Sequence, residues 1–223
     1  MTPVSATDGI VGFGIADGVA RLELRDAARR NALSTRLVDA AIARIEEAES
    51  AGCVAAVLAA EAPVFCAGAD IRDPPPPGGT WPGSRLIAAL KRSPIAWVAA
   101  VEGPAIGAGL SILTSCVHVV AHEEVWIRLP ELSQGRFPTA MAADLARLAG
   151  PRRALEAVVS ERRVAAAEAV GLGVVSEVVL ASEVRGRADE VAALLASAPS
   201  VAEQTVSFWH RHATGERSPF EGE

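Results

Sequence analysis

The chain has 223 residues, half of them hydrophobic, a net charge of −6, and 21 basic residues that form no long block. That length suits one sizeable core, and the charge balance points away from nucleic acid as a partner. The apolar runs break before the ~18–20 residues that a membrane span needs, so no membrane partner is expected either. The opening MTPVSATDG has no basic stretch followed by an apolar one, so no export signal is expected. Cys53, Cys66 and Cys116 are odd in number and widely spaced, which fits neither a disulfide framework nor a CxxC metal site. The expectation is a soluble protein of a reducing, cytoplasmic compartment.

Residues 10–24 alternate in polarity around Asp17-Gly18 and predict a β-hairpin. Residues 34–50 place Leu37, Ala40, Ala41 and Ile45 on one face behind a Ser34 N-cap, which predicts a helix. A buried strand is expected at 53–61. The stretch PPPPGGTWPG at 74–83 lacks amide donors and favours extended backbone, so it reads as a surface loop. A short helix at 84–93 and a strand at 94–103 follow, then short strands at 118–122 and 125–130. Helices are expected at 139–150, 151–161, 165–173 and 183–199. The alternation of strands and helices gives an α/β fold with its helices concentrated late.

Two apolar strands leave through small residues, in VFCAGADIR (64–72) and GPAIGAGLS (103–111). Neither matches a dinucleotide or Walker phosphate motif. Glycine and alanine at such turns have two readings. They permit tight helix–strand packing, or they let a ligand approach backbone amides closely. Two such turns facing each other would put two N–H groups on one oxygen atom, which is an oxyanion hole.

FCAGADIR, then VEGPAIGAGLS, LPELSQGRFP and RVAAAEAVGLGVVSEVV resemble the crotonase superfamily, the enoyl-CoA hydratase/isomerase family. RRNAL at 29–33 resembles that family's stretch near the coenzyme A phosphates. The resemblance implies a crotonase-like spiral of ββα turns over residues 1–180. It also implies a shortened helical C-terminal region, 181–223, that serves trimerisation or covers the site. A homotrimer or hexamer is implied. So is an acyl-CoA thioester as substrate, with no separate cofactor and no metal. By resemblance the oxyanion amides belong to Ala69 and Ala108. Arg30, Ala67, Asp70, Ile71 and Arg72 fall where the family contacts coenzyme A, Arg30 being equally readable as a solvated charge.

Hydratases that this chain resembles carry two glutamates, and here the positions departs from that pair. Glu131 stands after Leu129-Pro130, while Ser111, 20 positions earlier, stands where the other glutamate is expected. Syn addition of water needs one group to activate the water and another to deliver a proton. Moving a double bond needs one carboxylate that takes a proton from one carbon and returns it to another. Double-bond isomerisation is therefore favoured over hydration, with Glu131 as general acid/base and Ser111 orienting water or substrate. Hydration proper, or acyl-CoA binding with little turnover, is the alternative. Thr139-Ala140-Met141-Ala142 replaces the family's glycine run, and Met141 either narrows the acyl pocket or is core. The chain also stops at PFEGE, short of many relatives.

Four other features carry bland expectations. Asp144 is expected on a solvated helix face. His118 and His122 share a strand face without a metal-binding context. His210 and His212, in FWHRH, are expected at a surface or subunit contact. Cys66, beside the first small-residue turn, is expected to pack rather than react.

Overall fold

The computed structural model describes residues 9–215. The opening MTPVSATD and the closing PFEGE lie outside the described residues. Strands β1 (Val11–Ala16) and β2 (Val19–Leu24) form the expected antiparallel hairpin. Asp17 and Gly18 both take positive φ, 53° and 75°, as a two-residue turn between right-twisted strands requires. Helix α1 (Thr35–Ser50) starts as expected, with the Leu37 amide donating to Ser34 Oγ at 3.3 Å.

Strand β3 (Ala55–Ala60), helix α2 (Gly83–Arg92), strand β4 (Ala96–Val101), strand β5 (Ala105–Ile106) and helix α3 (Ala108–Ser115) follow. Then come β6 (His118–His122), β7 (Trp126–Arg128), α4 (Thr139–Ala149), α5 (Pro151–Ser160), β8 (Val164–Ala165), α6 (Ala166–Gly171) and β9 (Glu177–Val179). The main sheet has the order β1-β2-β3-β4-β6-β9, parallel from β2 onward. A second sheet orders β5-β7-β8. The α/β fold is thus a succession of ββα turns with helices late in the chain, as the sequence indicates.

The middle strands are apolar on both faces because both faces are covered. Ala56, Leu58, Trp97, Ala99 and Val101 face a large core shared with α1 to α6. Ala55, Val57, Ala96, Val98 and Ala100 face a smaller one. That second face is covered by α7 (Val184–Ala196) and α8 (Pro199–Trp209). Val184, Ala188 and Ala192 recur every fourth residue, so α7 lays a narrow stripe of small side chains on the small residues of the sheet. Arg185 joins Glu23 to Glu102 across the rim, and Arg21 meets Asp189 at 2.8 Å. Among the described residues, no helix is long and apolar enough to cross a membrane.

Three expectations are corrected. The predicted helix 183–199 breaks at Ala198, because Pro199 removes an amide and pushes the preceding residue out of helical geometry. Residues 199–214 continue instead as α8 and one wide turn, His210–Thr214. His210 is buried there rather than at the surface, and Trp209 Nε1 donates to the Thr114 carbonyl at 3.1 Å. His212, against the exposed Phe208 ring, keeps the expected surface position.

Asp144 is the third correction, since it is buried rather than solvated. Its carboxylate meets Lys91 Nζ at 2.7 Å, Arg147 at 3.2 Å and the Thr114 hydroxyl at 3.4 Å. The pair locks α2, α3 and α4 together. Removing Asp144 leaves the buried Lys91 ammonium without its counterion, and removing Lys91 leaves Asp144 only the partly exposed Arg147. Lys91→Met or Asp144→Leu alone is expected to cost about 3–5 kcal/mol, and the double variant to recover most of that loss, as read by urea unfolding.

Candidate active site

The site begins where β3 and β4 end. Gly68 has φ of 84° and Gly107 has φ of 53°, conformations that glycine adopts without strain. The two turns touch. A Cβ on Gly68 would lie 2.8 Å from the Ile106 carbonyl and 3.4 Å from the Ala108 nitrogen. Parallel bridges at Leu33↔Ala69 and Cys66↔Ala105 fix this register. The amides of Ala69 and Ala108 donate to no backbone acceptor among the described residues. Ala108 is also the first residue of α3, so its N–H belongs to the unsatisfied, electropositive end of that helix.

The second sheet brings the carboxylate to these turns. β5 pairs with β7, with Ile106 opposite Arg128, and the Gly107 amide donates to the Arg128 carbonyl at 2.8 Å. Three residues after Arg128 the chain reaches Glu131, whose backbone carbonyl is held by the Gln134 and Arg136 amides. A Cβ on Gly107 would lie 2.4 Å from Glu131 Oε1, so any other residue there would displace this carboxylate from its present position. Glu131 is 9% exposed, and its Oε2 has no hydrogen-bond partner among the described residues. Burial pushes its carboxyl above the ordinary glutamate value of 4.5, against a smaller opposing pull from its own backbone amide and from Arg136. Ser111, on α3, is 2% exposed and lines the same cleft.

The cleft encloses about 210 Å³ between the two turns, α2, α4 and the loop after Glu131. Ala67, Ala69, Ala108, Ser111 and Glu131 all line it. Ile71 also reaches it and is 75% exposed. Met141, which the sequence leaves between pocket and core, serves both, lining the cleft and packing on the main core. Asp70 does not line the cleft. It is buried and receives Arg72 Nε at 3.0 Å and Arg29 at 3.2 Å. Burial alone would raise its carboxyl, but the hydrogen bonds from Arg72 and Arg29 outweigh that and hold it below the ordinary 3.8.

Arg30 is exposed, and its neighbour Arg29 is the one that meets Asp70. The backbone of Arg30 still matters, because its carbonyl accepts from the Ala67 amide at 3.1 Å. Asn31 was not singled out from sequence. It is fully buried, takes a positive φ of 51°, and donates to the Glu61 and Val64 carbonyls at 2.9 and 2.7 Å. An asparagine is one of the few residues that tolerates this conformation, which was the available signal. Cys66 is buried and its thiol is pushed up to about 12 by desolvation, so it packs rather than reacts. His118 meets Glu177 and His122 meets the Glu102 carbonyl.

With this geometry in place, the chain belongs to the enoyl-CoA hydratase/isomerase family, whose model matches residues 14–219. It is 31% identical over 210 residues to 4-chlorobenzoyl coenzyme A dehalogenase-2 of an Arthrobacter species, covering 88% of this chain and 75% of that protein. It is 30% identical over 197 residues to a probable enoyl-CoA hydratase, echA6, of Mycobacterium bovis, covering 83% and 77%. The peroxisomal bifunctional enzyme of Danio rerio is 37% identical over 150 residues, which is 66% of this chain but 21% of that enzyme. The chain therefore spans about a fifth of that relative's length. The solved structure of PA4980 from Pseudomonas aeruginosa matches with a TM-score of 0.81 at 28% identity, over 90% of this chain and 91% of that one.

The contact between the glycine turns sets a stability test. Gly78 has a positive φ of 77° but open space around its Cβ position, so Gly78→Ala costs conformational strain alone, about 1–2 kcal/mol. Gly68→Ala adds a backbone clash at 2.8 Å and is expected to lower the urea midpoint clearly more than Gly78→Ala.

Proposed function

We propose that the chain acts on an acyl-CoA thioester through an enolate held in an oxyanion hole, with double-bond isomerisation favoured over hydration. The observation that carries this reading is the pairing of two unengaged amides, on turns in contact, with a buried carboxylate that lacks a partner. The Ala69 and Ala108 amides receive the thioester oxygen as negative charge develops on it. One such donor contributes about 2.7–4 kcal/mol to a transition state. The dehalogenase and hydratase names among the relatives support a coenzyme A thioester as the ligand.

Glu131 is the general acid/base. Its raised pKa brings it closer to neutrality, where proton uptake and return are both accessible. It removes a proton from one carbon of the acyl chain, the dienolate is held at the oxyanion hole, and the same carboxyl returns the proton further along. Ser111 offers a hydroxyl, which orients water or substrate but is a poor base at neutral pH. That favours the one-carboxylate reaction. Arg30, Ala67, Asp70, Ile71 and Arg72 are assigned to the coenzyme A side of the cleft. Asp70 serves there by fixing Arg29 and Arg72 rather than by touching the ligand, a role supported by its burial.

Glu131→Gln is expected to lower turnover of 3-enoyl-CoA substrates about 10²–10⁴-fold while leaving binding of a saturated acyl-CoA intact. The acid limb of the wild-type kcat/KM profile should lie above pH 4.5 and vanish with the substitution. The folded state holds this proton more tightly than the unfolded one. Stability from Glu131 is therefore present at low pH and lost as pH rises through the raised value. Equal turnover by wild type and Glu131→Gln would remove Glu131 from the reaction. Binding without turnover of any 2-enoyl or 3-enoyl ester would favour an accessory, acyl-CoA-binding role. Ser111→Glu should raise hydration of 2-enoyl esters if the second carboxylate is what hydration lacks.

A further inference from the structure

Arg136 stands out among the groups that the proposed reaction leaves unused. It is the one basic side chain lining the cleft among the described residues, and it is half-buried. Its guanidinium lies 5.4 Å from the centroid of the Trp81 ring, another cleft residue. A guanidinium that stacks through its face leaves its N–H donors available at the edge. One of them reaches the Gln134 side chain, and Arg136 forms no ion pair with a described acidic residue. It senses Glu131 only at a distance, as a pull on that carboxyl's titration. On the α2 and α4 sides the cleft presents Ile87, Ala140 and Met141, with the Ser84 hydroxyl as the one polar side chain among them.

A cation held on an aromatic face, with donors to spare beside apolar side chains, recognises an anion better than an alkyl chain. We infer that Arg136 determines specificity, selecting acyl groups that carry a carboxylate beyond the reacting carbons. The inference rests on the acyl-CoA reading and names its substrate class, the CoA esters of dicarboxylic acids. The planar fork of arginine suits the two oxygens of a terminal carboxylate, and the Trp81 ring holds the guanidinium beside the cleft. Arg136 acts on binding, not on the proton transfer, so its effect belongs in affinity and KM rather than kcat.

The test is calorimetric titration of the full chain with glutaryl-CoA and valeryl-CoA, which match in carbon number and differ in the terminal carboxylate. Wild type is expected to bind glutaryl-CoA about tenfold tighter or more. Arg136→Met should abolish that preference while leaving valeryl-CoA binding unchanged, and Arg136→Lys should keep part of it. Equal binding of the two esters by wild type would overturn the inference. So would an Arg136→Met protein that loses affinity for both alike, or that moves only the acid limb of the Glu131 pH profile. Binding of neither ester would overturn the acyl-CoA reading itself, and this inference with it.

Discussion

The cleft depends on how closely two backbone turns approach each other. Gly68 and Gly107 lie within van der Waals reach, and a single methyl group on either would strike backbone or the Glu131 carboxylate. That contact brings the Ala108 nitrogen close to Gly68, the residue before Ala69. It also sets the register that carries β5 onto β7, and hence Glu131 to Gly107. The approach is braced from behind. Gly103 passes Pro63 so closely that an added Cβ would lie 2.7 Å from its carbonyl, and Asn31 ties down the Glu61 and Val64 carbonyls. The geometry is thus held by backbone packing and buried hydrogen bonds, which leave little room to relax.

Against that frame, three buried carboxylates meet different fates. Asp144 is enclosed by Lys91, Arg147 and Thr114, and Asp70 by Arg72 and Arg29. Both are paired with cations and bind elements together. Glu131 has burial without a partner for Oε2, so it is the one driven toward its neutral form. The three thus divide into two ion-paired carboxylates and one without a partner for Oε2. The division follows from partners, not residue type, since all three are ordinary carboxylates in the sequence.

That explains what the sequence made legible. The hairpin turn at Asp17-Gly18, the Ser34 cap and the doubly buried strands follow local rules, and each appears where its pattern puts it. The small-residue turns and the Glu131 position were readable through motif spacing. Strands β5, β8 and β9 were not, because two or three residues carry no periodicity and exist only through their neighbours. Asp144 looked like a surface charge because its counterion sits on another helix, 53 positions away. Arg29 and Arg30 are indistinguishable in RRNAL. Only the left-handed turn at Arg30 and Asn31 decides which side chain meets Asp70.

The position of Ser111 follows from the same division of labour. If the oxyanion is held by backbone amides, the side chains around it can change without dismantling that hole. Ser111 is buried on α3 and lines the cleft, and its backbone carbonyl, which any residue would supply, accepts from Thr114 and Ser115. A glutamate there would place a second carboxylate in a cleft where Glu131 already lacks a partner, and like charges in one low-dielectric site resist joint ionisation. With one carboxylate and a hydroxyl, the site avoids that repulsion, and under the proposed reaction Glu131 is its single proton carrier. A lone carrier suits a reaction in which the proton that leaves one carbon returns to another. In the proposed reaction a serine in place of that glutamate narrows the chemistry of the site, while the contact between the two glycine turns does not depend on the side chain at 111.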